Sequence, residues 1–316
     1  MSGRRVCLKR YGGKLNMVDL EIKLPDGFLD EEVRCGYRIS SEMKKVWAVQ
    51  LDMLSRFDEV CKKYGLVYYA DSGTLIGAVR HSGYIPWDDD IDIVMMRNDY
   101  DQLLRVAETE FKYPLFLQTA YSEKNYIRAH AQLRNSETTG CILPDVDTEY
   151  NKGIFIDIFP MDNLPDSDVE LEKFKKKIRL YWKIIAAPYV KHQKVIVKLI
   201  ASIVSVIEKN VPFDVAFKRY EKLCKKYDGK QTDRVSNIAY SLGKEKNIWK
   251  REWFEQYHRV PFEFIEIPIP DGYDGRLRKE YGDYMVIRHA PTVHGNVFYS
   301  TDIPYTEYSN KHYEKK

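Results

Sequence analysis

Apolar side chains recur at spacings of three and four residues between Ser41 and Tyr64, which is the period of one face of an α-helix. Ser40 or Ser41 can cap the first turn through its hydroxyl, and Gly65 can adopt the left-handed conformation that often ends a helix. The pattern predicts an amphipathic helix over 41–64. The positions that carry it are Val46, Trp47, Leu54, Phe57, Val60, Cys61 and Tyr64.

Three short segments further along have the composition of β-strands. Residues 66–70 (LVYYA), 90–96 and 153–159 (GIFIDIF) are rich in β-branched, aliphatic and aromatic residues, and we expect Pro160 to end the third. A short stretch beginning at Ser72 and residues 98–110 have helical character. Helices interspersed with strands predict an α+β fold, in which helices flank a mixed β-sheet.

The character of the chain changes after Pro165. Residues 166–258 are rich in lysine, tyrosine and aliphatic residues at helical spacing, with breaks at Pro188 and Pro212. We therefore predict two parts: a catalytic core with its N-terminal lead-in over 1–165, and a mainly helical region with a C-terminal segment, packed on that core, over 166–316.

Composition excludes several classes of protein. The chain has 316 residues, of which 44% are hydrophobic, so it can bury a sizeable core. Its 50 basic and 47 acidic residues give a net charge of only +3, which argues against a nucleic-acid partner. Its five cysteines are scattered and include no C-x-x-C pair, so neither a disulfide framework nor a zinc site is indicated. No apolar run reaches the ~20 residues that span a bilayer.

The segment 87–95, WDDDIDIVM, concentrates carboxylates at the start of a predicted strand. Because side chains alternate between the faces of a strand, Asp90 and Asp92 share one face. Asp157 is the one charged residue in GIFIDIF, and a lone carboxylate in a buried strand is costly unless it is paired or binds a metal. If the two strands are neighbours, the three carboxylates form a site for Mg²⁺ or Mn²⁺ that can act on a phosphoryl group.

The alternative is that the acidic run is a solvated loop and that Asp157 pairs with an arginine. For Asp88 and Asp89 taken alone, we expect no more than solvated surface, since charge runs usually are.

Ser72, Gly73 and Thr74 follow a predicted strand and open a helical stretch. Backbone N–H groups at such a helix start can hold a phosphate. Arg80 and His81 end that stretch and could supply positive charge to a diphosphate. The alternative is a surface arginine beside a structural histidine.

Taken whole, residues 71–93, DSGTLIGAVRHSGYIPWDDDIDI, closely resemble the signature of the LicD family, the phosphorylcholine transferases that are related to fukutin and to the nucleotidyltransferase fold. The flanking segments agree: 97–100, 133–138 and 156–162, and more thinly YGDYM at 281–285 followed by His294. The resemblance is dense over 43–165 and thin over 261–294. This chain has Asp71-Ser72-Gly73 where many members carry a pair of glycines, and its C-terminal motif departs from theirs after Met285.

The resemblance implies a nucleotidyltransferase-like core and a role for each matched position. Asp90, Asp92 and Asp157 would hold the metal, with Asp157 also the general base for the incoming hydroxyl. The turn formed by Ser72, Gly73 and Thr74 would lie on the phosphate side. Three residues would clamp the donor diphosphate, and one could stack on a nucleobase or a choline head group. These are Arg80, His81 and Arg134 for the clamp, and Trp87 for stacking, although Trp87 could equally be a hydrophobic plug.

The resemblance further implies transfer of phosphocholine, or a similar phospho-alcohol, from a CDP-choline-like donor to a hydroxyl of a cell-envelope glycan such as teichoic acid or lipopolysaccharide, with release of CMP. The acceptor could be lipid-linked. Two other functions stay open: transfer of NMP with release of pyrophosphate, and an inactive module that binds glycan or nucleotide. The inactive module is disfavoured, because three clustered carboxylates are costly to keep without a metal that uses them.

Two further expectations concern location. The N-terminus has no apolar segment of the signal-peptide kind, so we expect a cytoplasmic protein. Lysines and an arginine over 173–194 precede the apolar residues 195–207, which raises peripheral membrane contact at the inner face of the membrane as a hypothesis. The alternative is a core helix with a solvated basic neighbour.

Overall fold

The computed structural model describes residues 17–124, 126–142, 145, 148–186, 212–241, 245–289 and 297–308. The predicted helix over 41–64 is confirmed as α1 (Ser41–Tyr64). The Ser40 hydroxyl accepts a hydrogen bond of 3.2 Å from the Met43 N–H, and Gly65 adopts a φ of 64°. Both ends of α1 are therefore set by local sequence, as the capping residues predict.

Helices alternate with strands through the first half of the chain, so the mixed α+β character is confirmed. A hairpin of β1 and β2 precedes α1, and the elements after it supply most of a seven-stranded sheet. Their bounds are β1 Glu32–Arg34, β2 Tyr37–Ile39, β3 Tyr69–Ala70, α2 Ser72–His81, β4 Asp92–Met96, α3 Arg97–Glu110, β5 Leu115–Gln118, β6 Ala131–Asn135, β7 Thr139–Ile142 and β8 Ile154–Leu164.

The long strand β8 is the centre of the sheet. One of its edges pairs with β4 in parallel, and β3 lies antiparallel beyond β4. The other edge pairs antiparallel, first with β6 and then with β9 (Arg234–Ser236), while β5 extends β6 and β10 (Trp249–Lys250) extends β9. Helix α1 packs against β6 and β8, and α3 packs against β4, β5 and β8.

The prediction that Pro160 ends this strand is wrong, because β8 continues to Leu164. The Asp157 N–H donates to the Ile91 carbonyl at 2.8 Å, on the β4 edge of the strand. Backbone N–H groups alternate between the two edges, so the Pro160 nitrogen faces the edge opposite β4. On that edge the pairing with β6 ends at Ile158, and the pairing with β9 begins at Asp162. Proline therefore sits in the gap between two partner strands, where its missing N–H breaks no ladder hydrogen bond.

The prediction of a mainly helical C-terminal region holds only for its first part. Helices α4 and α5 pack together, but the chain then returns to form β9 and β10, a hairpin of β11 and β12, and β13, which pairs with β7. The bounds are α4 Asp168–Ala186, α5 Phe213–Cys224, α6 Ile238–Ser241, β11 Tyr257–Phe262, β12 Ile265–Pro270, α7 Tyr273–Tyr281 and β13 Val297–Ser300. In the described part of this region, single 3-10 turns lie at Lys225–Tyr227, Glu245–Asn247 and Arg251–Phe254.

A buried ion pair joins the sheet to the helices. Arg97, at the start of α3, donates two hydrogen bonds to Asp162 of β8, at 2.6 and 2.8 Å, and a third to Glu221 of α5 at 3.1 Å. The side chains of Arg97 and Asp162 are 6% and 0% exposed. Both lie in the flanking segments 97–100 and 156–162, and the contacts identify them as structural residues.

No helix in the described part of the chain is long and apolar enough to cross a membrane. The apolar residues 195–207, their lead-in from 187 and the predicted break at Pro188 lie outside the described residues, as does His294.

Candidate active site

The register of the parallel pair β4 and β8 places Asp92 directly beside Asp157. The two strands are neighbours, as the metal-site hypothesis requires. Asp90, two residues before Asp92, joins them, and one carboxylate oxygen from each of the three lies within 4.8 Å of the others. Asp157 is 2% exposed, whereas Asp90 and Asp92 are half-buried. The site is thus closed on the sheet side and open above Asp90 and Asp92.

Burial and mutual repulsion both disfavour the ionised carboxylates of this cluster. The pKa of Asp92 is raised well above its usual value, first by burial and then by the negative charges of Asp90, Asp157, Asp71 and Asp88. A divalent cation relieves such repulsion, and three carboxylates supply the hard oxygen ligands that Mg²⁺ and Mn²⁺ prefer. The residues present therefore fit the cation that the sequence predicts. We call Asp90, Asp92 and Asp157 the acidic cluster.

Two residues that the sequence analysis missed hold the Asp157 carboxylate. Gln132 of β6 lies opposite Asp157 in the antiparallel pair and donates a hydrogen bond of 2.7 Å to its Oδ1. His130 Nε2 lies 3.1 Å from the same oxygen, and its ring packs 4.5 Å from that of Phe159. His130 and Gln132 are two residues apart, so their side chains lie on the same face of the chain as it enters β6. This face lies beside Asp157 only because β6 pairs with β8.

The predicted phosphate-side turn lies against the acidic cluster. Ser72 begins α2 with a φ of 48°, and a Cβ on Gly73 would come within 2.4 Å of an Asp88 carboxylate oxygen. Thr74 Oγ1 accepts a hydrogen bond of 2.9 Å from the Asp92 N–H, and the Asp71 N–H donates to the Asp92 carbonyl at 3.0 Å. The start of α2 and the start of β4 are therefore tied together at Asp92.

If Asp92 ligates a metal as the sequence predicts, replacing Thr74 by Val is expected to lower the turnover number (kcat) of the metal-dependent reaction by about tenfold, which is typical when a group that orients a metal ligand is lost. The substitution keeps the side-chain shape but removes the acceptor for the Asp92 N–H. Thr74→Ser retains the hydroxyl and is the matched control. Steady-state kinetics over a range of Mg²⁺ concentrations should show weaker metal activation for Thr74→Val alone; equal kinetics for both variants would contradict this role.

Asp71 is a further buried carboxylate that the sequence analysis left without a role. It is 3% exposed, and Arg276 of α7 donates a hydrogen bond to it. The Arg276 guanidinium, 1% exposed, also lies 3.8 Å from the centre of the Trp249 ring. The C-terminal helix α7 is thereby attached to the residue that precedes the phosphate-side turn.

The expectation that Asp88 and Asp89 are merely solvated is wrong for Asp89, which is 7% exposed. Side chains of α1 bind the backbone of the loop that contains Asp88 and Asp89. Trp47 Nε1 donates to the Asp88 carbonyl at 3.1 Å, and Gln50 Nε2 donates to the Asp89 carbonyl at 2.9 Å. The Tyr299 hydroxyl of β13 donates to the same Asp89 carbonyl at 3.2 Å. Helix α1 and the last described strand thus fix the loop that carries Asp90.

Arg80 and His81 lie at the other end of α2 from the phosphate-side turn. Arg80 is eight residues after Ser72, or about 12 Å along the helix axis. Its guanidinium donates to the Tyr284 carbonyl and, through Nε, to His81 Nε2 at 2.9 Å. Burial lowers the pKa of His81, helped by the positive charges of Arg80 and Arg34. These contacts attach the segment after α7 to α2. The clamp role of Arg80 and His81 stays a prediction.

Arg134 is buried inside the sheet, with 1% exposure. It donates hydrogen bonds to the side-chain oxygens of Gln118 and Gln132 and, at 2.7 Å, to the Gly153 carbonyl, and it lies 4.8 Å from the centre of the Phe155 ring. Because Gln132 in turn donates to Asp157, this arrangement makes Arg134 a support of the acidic cluster rather than a contact for a diphosphate.

Trp87, directly before the acidic run, is half-buried in an aromatic group at the surface. Its ring centre lies 6.0 Å from that of Tyr37 and 4.1 Å from that of His289. Three distant chain segments therefore meet beside the acidic run. Both the stacking role and the plug role remain predictions.

This mixed α+β domain has carboxylates on neighbouring parallel strands beside a helix start, an arrangement suited to binding a divalent cation. Residues 65–186, from before β3 to the end of α4, match the profile of the LicD/FKTN/FKRP nucleotidyltransferase domain. The chain is also 30% identical over 249 residues to the lipopolysaccharide cholinephosphotransferase LicD of Haemophilus influenzae, covering 75% of this chain and 89% of the relative. The chain belongs to the LicD family, as the motifs predict.

Two uncharacterized rickettsial proteins are also similar to the chain. One, from Rickettsia prowazekii, is 35% identical over 151 residues, which cover 46% of this chain and 51% of the relative. The other, from Rickettsia typhi, is 40% identical over 89 residues, which cover 28% of this chain and 26% of the relative.

Proposed function

We propose that the protein transfers phosphocholine from CDP-choline, or a similar phospho-alcohol from its CDP derivative, to a hydroxyl of a cell-envelope glycan, with release of CMP. Membership of the LicD family and the similarity to a lipopolysaccharide cholinephosphotransferase support a transferase with a glycan acceptor. The observation that carries the proposal is the adjacency of Asp92 and Asp157 at the mouth of the sheet, with Asp90 beside them.

Asp90, Asp92 and Asp157 would hold Mg²⁺ or Mn²⁺, which when bound neutralises charge on the donor diphosphate and on the leaving CMP. Backbone N–H groups at the start of α2, at Ser72, Gly73 and Thr74, are suited to contact phosphate oxygens, because the N-terminus of a helix carries a partial positive charge. The Thr74 hydroxyl also fixes the position of Asp92, because it accepts a hydrogen bond from the Asp92 N–H.

The proposed transfer is a single displacement. The acceptor hydroxyl oxygen attacks the phosphorus that carries choline, the bond from that phosphorus to the bridging oxygen of CMP breaks, and CMP leaves with the electron pair. Asp157 takes the hydroxyl proton as general base. Gln132 and His130 hold its carboxylate in place, and Arg134 holds Gln132. The resulting product is a phosphodiester between choline and the glycan.

The test is incubation of the purified protein with CDP-choline, lipopolysaccharide as acceptor, and Mg²⁺ or Mn²⁺, with separation of the products. CMP released together with phosphocholine-modified glycan, only when the metal is present, is the expected result. CDP-ethanolamine in parallel measures the choice of head group. If no CDP-alcohol released CMP, and a nucleoside triphosphate released pyrophosphate, nucleotidyl transfer would replace the proposed function.

Nucleotide donors of this kind are found inside the cell, so the proposal also places the enzyme on the cytoplasmic side of the membrane. There it could reach an acceptor that is still lipid-linked.

A further inference from the structure

Helix α4 has an outward face with an unusual composition. Val169, Lys173, Lys176, Leu180 and Lys183 follow each other at spacings of four, three, four and three residues, which places them in one stripe along the helix. All five are exposed, and the two apolar members are 68% and 55% exposed. We call these five residues the α4 stripe.

The opposite side of α4 is buried in the hydrophobic core. Leu171, Phe174, Ile178 and Ile185 are each 4% exposed or less and pack against α5 and its neighbours. The helix therefore keeps its position without the α4 stripe, whose apolar side chains contribute nothing to that core. Two exposed apolar side chains interleaved with lysines can lie against an anionic membrane surface, where the ammonium groups meet phosphates and the apolar side chains insert shallowly.

Charge around the stripe favours an anionic partner. Helix α4 carries six basic residues against three acidic ones: Lys173, Lys175, Lys176, Lys177, Arg179 and Lys183 against Asp168, Glu170 and Glu172. Glu172 lies on the flank of the stripe and pairs with Lys175 at 2.5 Å, so it does not neutralise the stripe itself. Lysine side chains can extend their aliphatic portions along an apolar surface while the ammonium groups reach phosphates above it.

A cleft of about 420 Å³ opens beside the stripe, between α4 and the end of α5. Its rim includes Lys173, Lys177 and Lys226, of which Lys226 pairs at 3.5 Å with Glu170, another lining residue, and its floor includes Phe174 and Leu223. An apolar floor below ammonium groups matches the chemistry of a lipid, in which an acyl chain is attached to a phosphate. A nucleic acid would leave Val169 and Leu180 without apolar contacts, whereas acyl chains supply them.

We propose that the α4 stripe is a membrane-binding face that docks the protein, parallel to the helix axis, on a bilayer containing anionic lipids. The inference does not depend on which phospho-alcohol the active site transfers, since none of its residues lies in the acidic cluster. Each lysine near an anionic surface contributes about 1 kcal/mol, so the three lysines together strengthen binding by roughly a hundredfold.

The test is co-sedimentation of the full chain with vesicles of phosphatidylcholine alone and of phosphatidylcholine mixed with phosphatidylglycerol. We expect binding to the mixed vesicles only, and a decrease as salt is added. The triple variant Lys173→Glu, Lys176→Glu, Lys183→Glu should bind at least about a hundredfold more weakly. Its matched control, Lys112→Glu, Lys124→Glu, Lys250→Glu, makes the same charge change at exposed positions elsewhere and should bind far better than the α4 triple.

Leu180→Ser tests the apolar half of the stripe separately and leaves the charge unchanged. We expect it to weaken binding to the mixed vesicles with no loss of thermal stability, since the side chain is exposed. The proposal is overturned if wild-type protein ignores anionic vesicles at low salt, if the two triple variants bind equally, or if only an acidic polymer such as DNA is bound. A soluble-donor assay of CMP release, unchanged in Leu180→Ser, keeps this outcome separate from that of the proposed function.

Discussion

Asp92→Asn is expected to reduce metal-dependent CMP release from CDP-choline by at least about a thousandfold. The asparagine has nearly the same shape, but it supplies a neutral oxygen where the acidic cluster needs a negative one. The same change should leave the metal-free protein as stable as the wild type or more stable. Burial, followed by four neighbouring carboxylates, raises the pKa of Asp92, so its ionised form is disfavoured in the folded metal-free protein.

Thermal denaturation with and without Mg²⁺ separates the two effects. Wild-type protein should gain stability from the metal, and Asp92→Asn should not. Asp214→Asn, at an exposed position in the first turn of α5, removes one carboxylate far from strand β4 and should behave as wild type. If Asp92→Asn kept its activity, or if it unfolded without metal, the acidic cluster would not be the catalytic centre.

Arg97→Ala is expected to destabilise the protein by about 3–5 kcal/mol, which is the usual cost of leaving one member of a buried ion pair without its partner. Asp162 is completely buried, and it receives two hydrogen bonds from Arg97. The loss should be measured as the free energy of unfolding in urea. A smaller loss is expected when Arg97→Met and Asp162→Leu are combined, because no isolated charge then remains.

The pair formed by Arg278 and Asp274 on α7 is the matched control. Both side chains are at least half exposed, and their separation is 2.9 Å. Solvent screens such pairs, so Arg278→Ala should destabilise the protein far less than Arg97→Ala. Equal losses for Arg97→Ala and Arg278→Ala would show that the buried pair does not join the sheet to the helices as its contacts suggest.

Local signals in the sequence were sufficient for the elements that carry the site. Helix α1 begins and ends where its capping residues predict, because the Ser40 hydroxyl and the Gly65 backbone act within a few residues of the helix. The strands with Asp92 and Asp157 were recognisable because their segments are rich in β-branched, aliphatic and aromatic residues. Their adjacency was a condition of the metal-site hypothesis, and the parallel register of β4 and β8 meets it.

Roles that depend on distant partners were not predictable in this way. Arg134 looked like a ligand contact because it is an arginine near the family motifs, but pairing of β6 with β8 buries it over Phe155. His130, Gln132 and Asp71 carry no local mark of function, since their partners come from β8 and α7.

The sequence by itself determined the mixed α+β composition and the positions of the three carboxylates, because apolar segments and the charges within them can be recognised locally. The resemblance of residues 71–93 to the LicD signature added the family. The tertiary structure decided which cationic side chains remain near the cluster and which become buried supports. It also decided that β8 runs through Pro160. Proline lacks an N–H, and here that N–H would face the gap between β6 and β9, where no partner strand needs it. Hydrogen-bond partners far apart in the chain are chosen by the packing of the sheet, and local sequence does not specify them.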